Sequence, residues 1–115
     1  ADHSWENNKA KPAELNIPIQ KLAWGYLESP RQRQKSKEEV WGLLEDCAKM
    51  NANLLLNIAP YPDGRIQEEN IKTLKEVGER IEKNGFPKLN TKDYMDYRTK
   101  SVQKVRKEKV NQTAN

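Results

Sequence analysis

The feature that most constrains this chain is the run Asn53-Leu54-Leu55-Leu56-Asn57-Ile58-Ala59. A short apolar stretch bounded by Asn and Pro60 predicts a strand over residues 53–59, buried on both faces. Parallel sheets that carry helices outside have strands of this character. Such a strand needs a neighbour on each side, because a lone two-stranded sheet is marginal in water. The rest of the 115 residues supplies at most one more strand, near residues 17–23. There Ile17, Ile19, Leu22 and Ala23 are apolar but sustain no regular period. Hydrophobic residues are 35% of the chain, against roughly 45–50% in ordinary globular domains, so a large core cannot be built from this chain alone. The expectation is a piece of a larger α/β protein.

Helices flank the run on both sides. Ser36 and Glu39 fit a capping box, in which the hydroxyl accepts from the third helical amide and the carboxylate reaches back. Val40, Leu43, Leu44 and Cys47 then fall at i, i+3, i+4 and i+7, which predicts an amphipathic helix over residues 37–50 that stops at Asn51. Pro60-Tyr61-Pro62-Asp63-Gly64 predicts a tight turn, since proline presets φ and Asp-Gly tolerates close geometry. A second helix is predicted over residues 67–84. Glu68 and Glu69 suit its first turn, Ile71, Leu74, Val77 and Ile81 form its expected buried stripe, and Gly85 is placed for a left-handed cap. A further short helix is expected around Tyr94, Met95 and Tyr97. The organisation reads as a loop-rich segment with one strand (1–35), a helix–strand–helix unit (36–86) and a polar, basic, poorly ordered tail (87–115).

Charge is concentrated rather than spread. Arg98, Lys100, Lys104, Arg106, Lys107 and Lys109 face one acid, Glu108, a net +5 over residues 98–109. The whole chain carries +4, which leaves the other residues at −1. Nucleic-acid binding calls for a basic face or a recognisable module, and neither is present, so no nucleic-acid partner is expected. One Cys excludes a disulfide within the chain. One His and one Cys far apart give no metal-ligand spacing, and no cofactor is implied. No run reaches the roughly 18 apolar residues of a membrane span, and Ala1-Asp2-His3 opens without a visible leader, as a fragment or mature product would.

Three stretches together resemble glycoside hydrolase family 29, the α-L-fucosidases. Trp24-Gly25-Tyr26 is similar to the family's W-G-Y segment. Asn53-Leu54-Leu55-Leu56-Asn57-Ile58-Ala59-Pro60 is similar to its N-L-L-L-N-I-G-P. Asp63-Gly64-Arg65-Ile66, then Val77-Gly78 and Asn84-Gly85, resemble its D-G-x-I, the following helix and the closing N-G-E. Trp5-Glu6 resembles the W-E found upstream. Ala59 stands where the family has Gly, Ala52 interrupts its N-G-N, and Phe86 replaces its last Glu. The resemblance implies the C-terminal portion of a (β/α)8-like barrel, about the last two β/α units, with the rest of the barrel outside this chain. It also implies a parent that is secreted, periplasmic or lysosomal.

The same resemblance implies chemistry. A retaining glycosidase uses two carboxylates about 5–5.5 Å apart, one as nucleophile and one as acid then base. The family's strand-borne aspartate nucleophile is not in this sequence, so the fragment is expected to be inactive alone. Glu6 is the catalytic carboxylate the resemblance offers. Trp24, Tyr26 and Asn57 are the substrate-binding candidates, with the Trp24 indole suited to the methyl group of fucose. Asn57 equally suits a structural role, its amide tying the strand end to neighbouring backbone. Asp63 suits a turn, and Trp41 and Cys47 suit the core. The partner implied is a fucosylated glycan, with no membrane. Two other readings stay open: a small binding or interaction module whose basic tail meets nucleic acid or an acidic partner, and a fucose-binding relative that does not cleave.

Overall fold

The computed structural model describes residue 11, residues 13–90 and residues 106–110. Its elements run strand β1 (Ala13–Pro18), helix α1 (Lys37–Lys49), strand β2 (Ala52–Asn57) and helix α2 (Glu68–Asn84). The two strands pair in parallel, Ala13 opposite Ala52 through Pro18 opposite Asn57, with α1 as the crossover between them. The chain is therefore α/β with a small two-stranded parallel sheet.

The first strand lies upstream of the expected segment. Ala13, Leu15, Ile17 and Ile19 alternate with Glu14, Asn16 and Pro18, a period of two that places the apolar set on the helix side. Residues 22 and 23 are outside the sheet. The second strand also differs from expectation. It ends at Asn57, and Leu54 and Leu56 are half-buried while Leu55 is 48% exposed. Helix α1 covers one face, and α2 packs against α1. The opposite face, with Glu14, Asn16, Asn53 and Leu55, has no cover among the described residues.

Helix α1 begins as its residues dictate. The Glu39 amide donates to Ser36 Oγ at 3.1 Å, and the Ser36 amide donates to Glu39 Oε1 at 3.3 Å. It ends at Met50 and Asn51, where Asn51 takes φ 51°, a conformation its short polar side chain tolerates. Helix α2 starts one residue later than expected and closes with the Gly85 amide donating to the Ile81 carbonyl at 2.6 Å. Gly85 has φ 78° and ψ 173°, so it is extended with positive φ rather than left-handed helical, a region open essentially to glycine.

The buried row of α2 is not the expected one. Asn70, Thr73 and Val77 are buried and Ile81 half-buried, whereas Ile71 and Leu74 are 38% and 36% exposed. The buried row is the one that meets α1. Arg80 lays its guanidinium 3.9 Å from the Trp41 ring, and Lys37 pairs with Glu76 at 3.3 Å. Both contacts join α2 to α1 on the flank that carries the buried row. The core is Ile19, Val40, Trp41 and Val77, with Leu44, Leu56, Ile58 and Ile81 packed against it. Cys47 is a buried free thiol, and burial first, then the Asp46 charge, pushes its pKa up, so it behaves as an apolar packing group.

Residues 106–110 are helical and exposed, not irregular. The other tail residues, the expected helix near Tyr94, and His3 lie outside the described residues. No helix among the described residues is long and apolar enough to cross a membrane.

Ile19 is fully buried at the exit of β1. Ile19→Ala is expected to lower unfolding free energy by about 2–5 kcal/mol. Loss of the cap in Ser36→Ala is expected to cost about 0.5–2 kcal/mol. Urea denaturation followed by circular dichroism checks both.

Candidate functional site

Parallel strands bring their C-terminal ends together, and here the ends are joined by hydrogen bonds. Ile19 N–H donates to the Asn57 carbonyl at 2.8 Å, one step beyond the last paired residues. The chain leaving β1 then turns back on itself. Gln20 bridges Gln34 in antiparallel fashion, Lys21 N–H donates to the Arg33 carbonyl at 2.8 Å, and Lys35 N–H donates to the Ile19 carbonyl at 2.7 Å.

Three amides and an ammonium fix this exit loop. Gln20 is buried, and its Nε2 donates to the Ala23 carbonyl at 2.8 Å and also to the Gly25 carbonyl. Asn57 Nδ2 donates to the Trp24 carbonyl at 2.7 Å, across 33 positions of sequence. Gln32 holds Leu22 from both sides, accepting from its amide at 2.9 Å and donating to its carbonyl at 2.5 Å. Lys35 Nζ donates to the Pro18 carbonyl at 2.7 Å. Its pKa is lowered, chiefly by burial, and Glu39 acts in the opposite direction. Within the loop Ala23 sits at φ 63°. A residue with a Cβ pays roughly 1–2 kcal/mol there, strain that the Gln20 and Asn57 amides hold in place.

The result displays aromatic side chains. Trp24 is 53% exposed and Tyr26 39% exposed. Tyr26 meets Tyr61 from the loop after β2, ring centroids 5.4 Å apart and planes at 59°. The Arg65 guanidinium lies over Tyr61, 5.2 Å from the centroid. Asp63 Oδ2 accepts from Arg65 Nε at 2.7 Å, and Oδ1 accepts from the Arg65 amide at 3.0 Å. The backbone bond first, then the side-chain bond, holds the Asp63 carboxyl below its usual range. Asp63 is thus an anion that shapes a turn, poorly suited to donate a proton at neutral pH.

The structure accordingly joins Asn57 to the Trp24 backbone and sets Tyr26 in the same cluster, while Glu6 lies outside the described residues. Sequence reasoning missed Gln20, Tyr61 and Arg65. The available signal was an aromatic residue fixed between two prolines just past a strand end. Among the described residues no group of three His, Cys, Asp or Glu side chains could hold a metal ion.

Residues 2–86 match the family model described as alpha-L-fucosidase. The chain belongs to the alpha-L-fucosidase family. An alpha-fucosidase from Thermotoga maritima, solved with a mechanism-based inhibitor, is similar at 32% identity and a TM-score of 0.58 over 65% of this chain. Isoenzyme 1 from Paenibacillus thiaminolyticus is similar at 35% identity and a TM-score of 0.55 over the same share. A Bacteroides thetaiotaomicron alpha-L-fucosidase, trapped as a covalent intermediate with 2-fluoro-fucosyl fluoride, shares the fold at 22% identity and a TM-score of 0.59, again over 65% of this chain. The chain spans 17% of the length of each of these relatives. No curated protein sequence matches it at a significant level.

Glu39 is the second carboxylate held below its usual pKa, by the Ser36 amide first and then by Lys21. Depressed folded-state values mean that the stabilisation from Glu39 and Asp63 is present above the unfolded carboxylate pKa and is lost as pH falls through the folded values. Thermal melts should therefore hold steady above about pH 5 and fall below it. A Glu39→Gln, Asp63→Asn double variant should show a shallower acid slope.

Proposed function

We propose that this chain is the closing portion of a (β/α)8 barrel whose parent is a retaining α-L-fucosidase. In this reading β1 and β2 are the last two barrel strands. The loop-rich segment 1–35 and the helix–strand–helix unit 36–86 close the barrel, and 87–115 follows as a basic tail. The uncovered sheet face, with Leu55 half-exposed, supports the barrel reading, because a closed barrel would bury that face. Active sites of such barrels lie at the C-terminal ends of the strands.

The observation that carries the reading is the meeting of Trp24, Tyr26 and Asn57 at those ends, within the span that matches the family. Trp24 offers an exposed indole face for the C–H groups and methyl of fucose. Asn57 fixes the Trp24 backbone, and a preset ring binds with less ordering cost. Tyr26 lines the same substrate-binding surface. Glu6 is proposed as the acid that protonates the departing oxygen and then, as base, activates water. The nucleophile comes from barrel strands outside this chain. The trapped covalent intermediate of the Bacteroides relative supports a double displacement with retention. The substrate is a fucosylated glycan.

The full-length protein is expected to release fucose from a chromogenic α-L-fucoside, with the α-anomer as first product by proton NMR. The 115-residue chain alone should release none above a denatured control. A β-anomer product, or turnover by the chain alone, contradicts the proposal. Trp24→Ala in the full-length protein is expected to lower kcat/KM on the same fucoside by roughly 10–200-fold.

A further inference from the structure

Each helix carries a glycine in mid-course, Gly42 in α1 and Gly78 in α2. Glycine is a poorer helix former than alanine or leucine. At both positions nothing among the described residues lies within 4 Å of where a Cβ would stand. Their surroundings differ. One turn to either side of Gly42 stand Glu38, Glu39, Glu45 and Asp46, all exposed, which marks a face turned to water. One turn to either side of Gly78 stand Leu74 and Ile81, and Ile71 lies two turns back.

The apolar flank around Gly78 faces away from α1. At about 100° per residue, Ile71 and Gly78 lie roughly 160–180° around α2 from Arg80, the residue that lies on the Trp41 ring. Ile71 and Leu74 are nonetheless exposed. Two branched side chains with a notch beside them suit ridges-into-grooves packing, in which small residues at the contact let helix axes approach. Lys75 and Glu82 border the patch, so it has an apolar centre and a charged rim. The sheet is open as well. With β1 on one edge, β2 has no strand on the other among the described residues. Parallel sheets grow by strand–helix units, each helix lying over the sheet beside its predecessor. The fucosidase relatives have room for such units, since this chain spans 17% of their length.

We propose that Ile71, Leu74 and Gly78 seat a helix of the next β/α unit of the parent barrel, whose strand pairs in parallel with the open edge of β2. The occupant is an amphipathic helix that sets a large apolar side chain over Gly78. It comes from the N-terminal part of the parent, because in a closed ring the unit after the last strand is the first. This inference rests on the barrel reading above and names the surface through which the ring closes.

The two glycines give opposite signs in the full-length protein. Gly42→Leu, on a solvated face, is expected to raise the melting temperature by roughly 1–4 °C through helix propensity. Gly78→Leu is expected to lower it by roughly 3–10 °C, because the added side chain meets the seated helix. A rise at both positions, or no fall at Gly78, overturns the seat. If Gly78→Leu alone fails to fold while Gly42→Leu folds, the seat is supported. Photo-cross-linking from p-benzoylphenylalanine placed at position 71 identifies the occupant by peptide mass spectrometry. Attachment to the N-terminal part of the same chain is expected. Attachment to a second copy, to another region or to nothing overturns the assignment. A crystal structure of the full-length protein without further β/α units refutes the barrel reading itself, a result distinct from a barrel in which Gly78→Leu does no harm.

Discussion

The described residues are organised by the parallel pairing of β1 with β2. Its register sets Pro18 level with Asn57, and the Ile19 to Asn57 bond carries the alignment one residue further. Parallel pairing requires a crossover, and α1 supplies it with a capping box at one end and a positive-φ asparagine at the other. Both strand exits consequently open at the same level. A loop from each can reach the other, which antiparallel strands would have prevented.

At those exits the chain spends polar side chains on backbone. Gln20 and Asn57 place their amides on carbonyls of residues 23–25, and Lys35 caps the end of β1. Burial disfavours the Lys35 charge, and carbonyl acceptors together with Glu39 offset that cost. The outcome is a loop whose aromatic rings face outward while its main chain is held from below. The position of those rings is thus set by held backbone rather than by core packing.

Local chemistry made much of the fold legible. The Ser36–Glu39 box, the leucine run and the Glu-rich start of α2 each announce an element through near-neighbour physics. Strand β1 was harder, because its alternation begins before the expected segment. The α2 stripe misled for a different reason. Ile71 and Leu74 look like a core row, yet Asn70 and Thr73 are the buried ones, and α2 meets α1 through Arg80 on Trp41 and Lys37 with Glu76. Those forces act between helices and leave no local period. The Asn57 amide on the Trp24 carbonyl is equally invisible, since it spans 33 positions. Motif resemblance drew attention to Trp24, Tyr26 and Asn57, whereas Tyr61 passed as a turn residue.

The sheet also bears on how such a polypeptide behaves by itself. With two strands paired only to each other among the described residues, each presents one unpaired row of backbone donors and acceptors. Such borders recruit other strands, and Leu55 adds an apolar surface beside them. A ribosome that released this segment without its companions would liberate an aggregation-prone species. Glu14, on the uncovered face, is the gatekeeper charge that restrains stacking there.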